Sequence, residues 1–369
     1  MRQRLFFRVS IYVIISFAVV AGGGVYNIVS AQTAPVINYK AEATSLYNAI
    51  KLNYFDSSTG YYKEFPKAET QKNAASYLWP LCAIFQAENE LEAGSKSTSL
   101  VTKTFSIISR YYDTRVPAPG YASYPPPLGG GDRFYDDNQW IGITLLDVYQ
   151  RTNERSYLDK GKEIFRFMMT AYDTISGGGL YWEEGKPTKN TCSNGPGILL
   201  ALQLYKATHT RSYLDTALML YDWVNKNLYD GGGLYYDNTN TKTGRVDQKR
   251  YSYNTATMLQ SNVYLFELTG KQAYLDSAII VAEAAHKYFY TGGKFKDNIW
   301  FNAVMLRAYI HLAKFHPDKK YIQAFQICTN QLLRENKNEN HLIGKHKVLD
   351  LVSQGGMLEI LARFSVSGQ

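Results

Sequence analysis

Two kinds of helical segment alternate along the chain. Residues 138–149 (NQWIGITLLDVY) carry a single charge, whereas residues 158–167 (LDKGKEIFRF) carry several charges beside an apolar stripe. A helix that is apolar on most sides is buried on most sides, and a helix with one apolar stripe exposes its other face. The alternation therefore predicts an inner and an outer set of helices.

Six segments of each kind can be traced along the sequence. The outer type falls near 41–54, 99–112, 156–171, 212–228, 273–290 and 320–334. The inner type falls near 74–90, 138–151, 196–208, 254–268, 299–314 and 348–363. Six alternating pairs close naturally into a ring, whereas the alternative, an open solenoid, leaves both ends exposed. We therefore predict an all-α fold, an (α/α)6 toroid of alternating inner and outer helices.

An internal repeat supports this fold. A polar turn followed by Tyr-Leu-Asp recurs at Tyr157, Tyr213 and Tyr274, and a weaker copy lies at Tyr321, at intervals of 47 to 61 residues. Intervals of this length with two helical patterns in each indicate stacked helical hairpins. Tetratricopeptide repeats are the alternative, but their period of about 34 residues is too short for these intervals.

Glycine-rich aromatic stretches follow three of the outer segments, at 176–184 (SGGGLYWEE), 230–238 (DGGGLYYDN) and 291–298 (TGGKFKDN). Strand-type alternation is scarce elsewhere. We expect these stretches to form loops or short hairpins at one rim of the ring, each leading into the next inner helix. A cleft is expected on that face.

The N-terminus has the pattern of a secretory signal peptide. Three arginines precede an apolar run at 9–21, and Val29-Ser30-Ala31 matches a small-residue cleavage site. The run is shorter than the ~20 residues that a membrane-spanning helix needs, so a retained anchor is the less favoured alternative. We expect residues 1–31 to be a signal peptide, residues 32–369 to form one domain, and the protein to be secreted or periplasmic, with no membrane association after cleavage.

Composition excludes several classes of function. The formal net charge of +8 includes the leader arginines, and no basic block of nucleic-acid-binding type appears. The three cysteines lie far apart, which argues against a zinc site or a disulfide framework. Neither a P-loop nor a dinucleotide fingerprint occurs, so no cofactor and no metal is expected. The 31 tyrosines and 5 tryptophans suit a carbohydrate partner, because their rings offer a flat apolar face with a polar edge. We expect a monomer.

The stretch RFYDDNQWIG (133–142) places two carboxylates side by side at the start of an inner segment. One aspartate can cap the helix, but two adjacent acids repel each other and the second needs another explanation. Glycoside cleavage needs a carboxylic acid and a carboxylate, about 5–5.5 Å apart in retaining enzymes. Neighbouring α-carbons lie 3.80 Å apart, so Asp136 and Asp137 fit retention better than inversion. Mutual repulsion would keep one protonated, and Tyr135 and Trp140 would supply an apolar wall.

Ten residues are candidates for substrate binding. They are Trp79, Tyr135, Asn138, Trp140, Tyr181, Trp182, Asn194, Tyr236, Asn254 and Trp300. The aromatic residues could instead pack between helices, and the asparagines could cap inner helices. Glu183 and Glu184 are the rival acids, and pairing either with an aspartate across the cleft would favour an inverting mechanism.

The same stretch, an aromatic residue followed by Asp-Asp at the start of an inner helix, resembles glycoside hydrolase family 76, which contains endo-α-1,6-mannanases and related bacterial and fungal enzymes. Further similar stretches lie in order along the mature chain, at 177–184, 192–205, 251–266 and 295–296. The resemblance implies that Asp136 is the nucleophile and Asp137 the general acid/base.

Two departures from the family pattern leave the exact mannan substrate open. Ile141-Gly142 follows the aspartates and tryptophan, and Thr255-Ala256-Thr257 stands where the family has a glycine-rich fourth inner helix.

These observations predict a secreted, retaining endo-α-1,6-mannanase that cleaves α-mannan with an Asp-Asp pair, built as a single (α/α)6 glycoside hydrolase domain over residues 32–369. One alternative is a carbohydrate-binding toroid without catalysis, although a binding protein has no need of two adjacent acids. Another is an inverting hydrolase or a lyase of the same fold, but lyases act on uronates and would want a more basic cleft.

Overall fold

The computed structural model describes residues 37–67, 71–344 and 349–367, so the predicted signal peptide at 1–31 lies outside the described residues. The described residues from 37 onward form one compact unit. None of the helices in the described residues is long and apolar enough to cross a membrane. The α-helices of the described part are α1 (Tyr39–Tyr54), α2 (Leu78–Leu91), α3 (Ser99–Ile108), α4 (Tyr135–Thr152), α5 (Arg155–Met169), α6 (Thr191–Thr208), α7 (Arg211–Asn227), α8 (Ser252–Thr269), α9 (Gln272–Phe289), α10 (Ile299–Leu312), α11 (Lys320–Asn336) and α12 (Leu351–Ser367).

Burial separates these helices into the two predicted sets. Every residue of α6 from Thr191 to Leu204 is buried, and the same is true of α8 from Ser252 to Leu265. The outer helix α7 buries only one stripe, made of Leu214, Ala217, Leu220, Trp223 and Val224. The three- to four-residue spacing of this stripe places it on one face of the helix. Inner helices are thus surrounded by protein, whereas outer helices face solvent on one side.

The inner helices form a closed ring. Each even-numbered helix from α2 to α12 packs against the next, and α12 packs back onto α2. The outer helices α3, α5, α7, α9 and α11 pack against the inner helix that precedes each of them, and α1 packs against α12. This closure confirms the predicted (α/α)6 toroid and excludes the open solenoid.

Three of the turns from inner to outer helices are short and follow one design. The residue after α4 is Asn153, after α6 it is His209 and after α8 it is Gly270, with φ angles of 63°, 55° and 69°. In each turn the backbone N–H of that residue donates to the carbonyl four residues earlier, for example Asn153 to Tyr149 at 2.7 Å. A left-handed residue at this position ends the helix and reverses the chain. The outer helix therefore runs back beside its inner partner.

The connections from outer to inner helices are longer and carry the strands, all on one rim. The strands are β1 (Phe55–Asp56), β2 (Tyr61–Tyr62), β3 (Tyr112–Asp113), β4 (Gly120–Tyr121), β5 (Thr188–Asn190), β6 (Asn238–Asn240), β7 (Val246–Asp247), β8 (Tyr290–Thr291) and β9 (Lys294–Phe295). Antiparallel bridges Tyr172–Leu180 and Tyr229–Tyr235 close two of the glycine stretches, and β8 pairs with β9 around the third. The expected short hairpins are therefore present.

One sheet of this rim was not expected. Strand β6 pairs with β5 on one side and with β7 on the other, so the loop after α5 and the loop after α7 share one three-stranded sheet. Strands of two or three residues are too short to show the two-residue alternation that signals a strand in a sequence.

The main differences from the predicted boundaries concern the starts of inner helices. Helix α4 begins at Tyr135 rather than near 138, and α6 begins at Thr191 rather than near 196, with Pro196 inside it. Aspartate and asparagine are typical of positions just before a helix. Here the residue before α4 is Phe134, which makes no side-chain capping hydrogen bond. The paired aspartates thus lie inside the first turn of α4.

Candidate active site

A cleft of about 850 Å³ opens at the N-terminal ends of the inner helices. First turns of five inner helices line it, with Trp79 from α2, Asp137 from α4, Cys192 from α6, Tyr253 from α8 and Trp300 from α10. The rim loops add the remaining walls. The predicted cleft is therefore present on the face where the glycine-rich loops emerge.

The two adjacent aspartates lie side by side in this cleft, and each is only 9% exposed. Their surroundings differ. Asp136 Oδ2 accepts a hydrogen bond from Trp182 Nε1 at 3.1 Å, and Asp136 Oδ1 accepts one from the backbone N–H of Asp137 at 3.1 Å. The Cys192 thiol also lies within hydrogen-bonding reach of Asp136. In the described part of the chain, no side chain donates to the carboxyl group of Asp137.

The difference in donors separates the acidities of the two groups. Burial raises the pKa of Asp136 to about 7, against the opposing effect of the hydrogen bonds from Trp182 and Cys192. Burial and the negative charge of Asp136 together raise the pKa of Asp137 well above its usual value. Two close carboxyl groups resist both being ionised. Near neutral pH the arrangement favours an ionised Asp136 beside a protonated Asp137.

Three tryptophans form an apolar wall of the cleft. The ring of Trp300 lies 5.5 Å from that of Trp140 and 5.8 Å from that of Trp79. Tyr253 stacks at 6.4 Å from Trp300 on another side of the same group. On the loop wall Trp182 packs against Phe134 at 5.0 Å. Such faces can stack against the C–H surface of a sugar ring. The four predicted tryptophans, Trp79, Trp140, Trp182 and Trp300, all line the cleft, and their binding of substrate stays a prediction.

The three predicted tyrosines, Tyr135, Tyr181 and Tyr236, all lie outside the cleft. Tyr135 stacks on Phe167 of α5 with ring centroids 5.0 Å apart. The hydroxyl of Tyr181 donates to Asp173 at 2.9 Å, and its ring lies 4.7 Å from the ammonium group of Lys189. Tyr135 and Tyr181 line a neighbouring groove on the other side of the loop that carries Trp182. They support that loop, and neither faces the aspartates.

Asn138 and Asn194 act on the backbone and do not reach the cleft. Both side chains are fully buried. Asn138 Oδ1 accepts from the N–H of Tyr121 at 2.7 Å, and its Nδ2 donates to the carbonyl of the same residue at 2.9 Å. Asn194 makes the same pair of hydrogen bonds to Leu180, at 2.8 and 3.0 Å. Each amide fastens a rim segment to the first turn of an inner helix, so neither is free for a substrate.

Asn254 and Tyr236 lie behind the cleft wall. Buried Asn254 donates from Nδ2 to Asp237 Oδ1 at 3.3 Å, and the ring of Tyr236 lies 4.8 Å from the Arg250 guanidinium. Asp237 itself faces the cleft, where burial raises its pKa, and Asp132 faces it too. Sequence reasoning missed both acids. Comparing GLYWE (179–183) with GLYYD (233–237) would have indicated Asp237, because it stands where the first loop has an acid.

The rival acids Glu183 and Glu184 lie in the neighbouring groove. Glu184 forms two hydrogen bonds with buried Arg133, at 2.8 and 2.6 Å, and Glu183 lies 3.6 Å from Lys186. Neither of them lines the cleft with the paired aspartates. Among the described residues there is also no group of three or more His, Cys, Asp or Glu side chains that could hold a metal ion.

Comparison with known proteins points to one family. The family model described as glycosyl hydrolase family 76 matches residues 38–305. The mannan endo-1,6-alpha-mannosidase DCW1 of Saccharomyces cerevisiae is 27% identical over a 224-residue alignment that covers 55% of this chain and 48% of that protein. DCW1 of Candida glabrata is 28% identical over 171 residues, 42% of this chain and 38% of that protein. The chain thus spans about half the length, or less, of these curated relatives.

A solved structure matches over a larger share. The family 76 glycoside hydrolase (mannosidase) of Bacteroides thetaiotaomicron has a TM-score of 0.80 and 27% identity, covering 89% of this chain and 98% of that one.

Proposed function

The chain belongs to glycoside hydrolase family 76, and on that basis we propose that the protein is a retaining endo-α-1,6-mannanase with Asp136 as nucleophile and Asp137 as general acid/base. The observation that carries this proposal is the adjacent, buried carboxyl pair at the floor of an aromatic cleft. One member receives hydrogen-bond donors and the other receives none from the described side chains. The pair is thereby divided into one group that ionises first and one that keeps its proton.

In the first step, ionised Asp136 attacks the anomeric carbon of the mannosyl unit at the cleavage point. Protonated Asp137 donates its proton to the glycosidic oxygen, and the leaving chain departs with a free hydroxyl. A covalent glycosyl-enzyme ester remains on Asp136. In the second step, Asp137, now ionised, accepts a proton from water, and the water oxygen replaces Asp136 on the anomeric carbon. Two displacements retain the anomeric configuration.

The donor set fits these roles. The hydrogen bond from Trp182 to Asp136 at 3.1 Å stabilises the carboxylate form before attack. Asp137 keeps its proton because burial and its charged neighbour both penalise ionisation. When Asp136 becomes an ester, its negative charge disappears. The pKa of Asp137 then falls, and the residue can act as a base in the second step.

The substrate is inferred from the relatives and from the shape of the cleft. The yeast relatives are named mannan endo-1,6-alpha-mannosidases. A volume of about 850 Å³ lies high in the usual range of about 300–1,000 Å³ for ligand sites and leaves room for more than one sugar ring. Among the described residues that line the cleft there is no lysine or arginine, and this lining with its tryptophan faces suits a neutral polysaccharide better than a uronate.

The protein is further proposed to be exported, with residues 1–31 as a cleaved signal peptide. The motivating pattern is the arginine-flanked apolar run at 9–21 with a small-residue site at 29–31. Sequencing the N-terminus of protein recovered outside the cytoplasm tests this, and a mature chain that begins at Met1 would contradict it.

The catalytic roles are tested with Asp136→Asn and Asp137→Asn on debranched α-1,6-mannan, with oligosaccharide release as the measurement. We expect each variant to lose about 10³-fold or more in kcat. Asp132→Asn is the matched control, since Asp132 lines the same cleft without belonging to the pair. An active variant at either paired position would overturn the assigned roles. Wild-type binding of mannan without release of products would favour the binding-protein alternative.

An aryl mannoside separates the two roles. Its leaving group departs without protonation, so Asp137→Asn should regain rapid formation of the glycosyl-enzyme, whereas Asp136→Asn should stay inactive. Proton NMR of the first-formed anomer then tests retention. Initial release of the inverted anomer would exclude Asp136 as a nucleophile.

A further inference from the structure

Two asparagines face each other across the three-stranded sheet of the rim. Asn190 is the last residue of β5 and Asn238 the first of β6, and the two are directly paired in the antiparallel ladder. Directly paired residues project from the same face of a sheet, with Cβ atoms about 4.5–5.5 Å apart. Both residues line the cleft that holds the two aspartates. This asparagine pair (Asn190 and Asn238) therefore presents two amide groups to the cleft from one wall.

Asn190 occupies a helix-capping position without capping the helix. It directly precedes α6 with extended backbone angles, φ −109° and ψ 152°, yet its side chain makes no capping hydrogen bond. Asparagine is preferred at this position because its oxygen accepts a hydrogen bond from the first turn. Asn38 and Asn298 do cap α1 and α10 in this way, at 3.0 and 2.7 Å. The side chain of Asn190 is therefore directed elsewhere.

The amide of Asn190 leaves only its nitrogen open to the cleft. The residue is 5% exposed, and its Oδ1 is enclosed without a hydrogen-bond partner in the described part of the chain. Its Nδ2 has no partner there either, but it does not belong to the enclosed atoms. A ligand in the cleft cannot reach the enclosed Oδ1. The group that Asn190 offers to a ligand is thus a donor, Nδ2.

Asn238 offers the opposite kind of group. Its Nδ2 donates to Asp237 Oδ2 at 2.8 Å, which fixes the orientation of the amide. Its Oδ1 has no partner among the described residues and is not enclosed, and the side chain is half-buried in the cleft wall. An amide oxygen is an acceptor only. An unpaired donor on Asn190 and an unpaired acceptor on Asn238 therefore lie beside each other.

A donor and an acceptor in this arrangement select a hydroxyl group. A hydroxyl oxygen can accept from Asn190 Nδ2 while its hydrogen is donated to Asn238 Oδ1. A carboxylate or phosphate oxygen supplies acceptors only and would leave Asn238 Oδ1 unpaired. An ammonium group supplies donors only and would leave Asn190 Nδ2 unpaired. A sugar hydroxyl that reproduces both hydrogen bonds of a bridging water can replace that water without leaving either amide unpaired.

We propose that the asparagine pair holds one hydroxyl group of the mannan chain between its two amides and so determines which sugar units the cleft accepts. This proposal rests on the function proposed above. An α-1,6-linked chain leaves the hydroxyl groups at positions 2, 3 and 4 of each unit free, and the pair binds one of these. A branch at that position would remove the hydrogen that Asn238 accepts, so the pair also excludes units that are branched there.

The pair lies close to the nucleophile. Cys192, whose thiol lies within hydrogen-bonding reach of Asp136, follows Asn190 by two residues. Consecutive α-carbons are 3.80 Å apart, so these two α-carbons are separated by about 7.6 Å at most. The bound hydroxyl therefore belongs to a mannosyl unit at the cleavage point or next to it.

The test is calorimetric titration of α-1,6-mannotriose into the Asp136→Asn protein, alone and with Asn190→Ala or Asn238→Ala added. Each substitution removes one neutral hydrogen bond to the ligand, so we expect each to weaken binding about 3- to 10-fold. Asn240→Ala is the matched control. Asn240 lies on the same strand but outside the cleft lining, and its Oδ1 accepts from two backbone N–H groups of the following turn, at 3.0 and 3.1 Å. Its replacement should leave the affinity unchanged.

Three analogues identify the contact. Each is an α-1,6-linked trisaccharide that lacks the 2-, the 3- or the 4-hydroxyl group on every unit. With one of these analogues, the same one for both asparagines, Asn190→Ala and Asn238→Ala should change the affinity by less than about twofold, because the hydroxyl that they hold is already missing. With the other two analogues the full loss should persist. A purely structural effect of the substitutions would weaken the binding of all three.

Equal affinities of the Asn190→Ala and Asn240→Ala proteins for mannotriose would overturn the proposal and leave the proposed substrate standing. Two different analogues that cancel the two substitutions would show separate contacts, which also overturns it. If mannotriose does not bind to the Asp136→Asn protein at all, the proposed substrate fails together with the asparagine contact. Asn190→Ser, which keeps a residue type suited to the start of a helix, replaces Asn190→Ala if circular dichroism shows that the alanine variant does not fold.

Discussion

Replacing Trp182 with phenylalanine keeps an aromatic wall in the cleft and removes the one indole N–H that donates to Asp136 Oδ2 at 3.1 Å. A hydrogen bond to a charged group contributes about 1.5–3 kcal/mol. Since 1.36 kcal/mol corresponds to one pKa unit, we expect the pKa of Asp136, about 7 in the native protein, to rise by about one to two. Asp136 must be ionised to attack, so the acid limb of kcat/KM against pH should move upward by this amount.

The measurement is kcat/KM on α-1,6-mannan oligosaccharides across the acid limb. At pH values below the pKa of Asp136, kcat/KM falls tenfold for each pH unit. The kcat/KM of Trp182→Phe should therefore be about 10- to 100-fold lower than that of the native protein at a fixed acidic pH, and the loss should be smaller at the optimum. Trp140→Phe is the matched control, because Trp140 lines the same cleft and its Nε1 has no hydrogen-bond partner among the described residues. If the acid limb does not move for Trp182→Phe, or moves equally in both variants, the hydrogen bond from Trp182 does not stabilise the Asp136 carboxylate and the reasoning is refuted.

Three further substitutions test the frame of the site. Glu183→Gln should keep kcat within about threefold of the native value, because Glu183 lies outside the cleft. A loss of kcat as large as that of Asp137→Asn would show that Glu183 is the catalytic acid instead. A Cβ on Gly179 would lie 2.5 Å from the Trp223 ring, whereas a Cβ on Gly177, which also has a positive φ, would meet open space. Gly179→Ala should therefore lower the free energy of unfolding by about 1–3 kcal/mol more than Gly177→Ala does. Equal losses for the two variants in urea denaturation would contradict this. Asn194→Ala leaves the buried N–H of Leu180 unpaired, while the Leu180 carbonyl keeps the hydroxyl of Ser193 as a donor, so the substitution should cost about 1–3 kcal/mol in the same assay. A change below about 0.5 kcal/mol would contradict its structural role.

The order of helices was readable from the sequence because burial leaves a strong pattern. Residues 191–204 have protein on every side and lack charges, whereas Arg211–Asn227 exposes one face and carries them. Helix starts were less readable, since Asp136, Asp137 and Asn138 are typical of caps and here lie within the first turn. The capping preference of a residue type does not predict which distant group its side chain will hydrogen-bond.

Contacts between distant residues explain the other differences. Asn194 is hydrogen-bonded to the backbone of Leu180 across the rim, and the sequence around either residue gives no sign of this contact. Asp237 was overlooked because no second acid is adjacent to it and its correspondence with Glu183 in the other loop was not used; the fold brings it to the cleft that holds the aspartate pair. The cleft takes side chains from the first turns of five inner helices, so its residues form no single motif along the chain.

The three-stranded sheet at the rim couples sequence changes in the loops of two repeats. Asn190 pairs with Asn238 in this sheet. Asn190 directly precedes α6, and Asn238 directly follows Asp237. Side chains alternate between the two faces of a strand, so one residue inserted into either loop would slip the register and turn the neighbouring side chains to the opposite face. An insertion in the Trp182 loop would need a matching change in the Asp237 loop to preserve both walls of the cleft. Lineages that alter substrate preference at this rim should therefore change the two loops together, although more than 50 residues separate Trp182 from Asp237 in the chain.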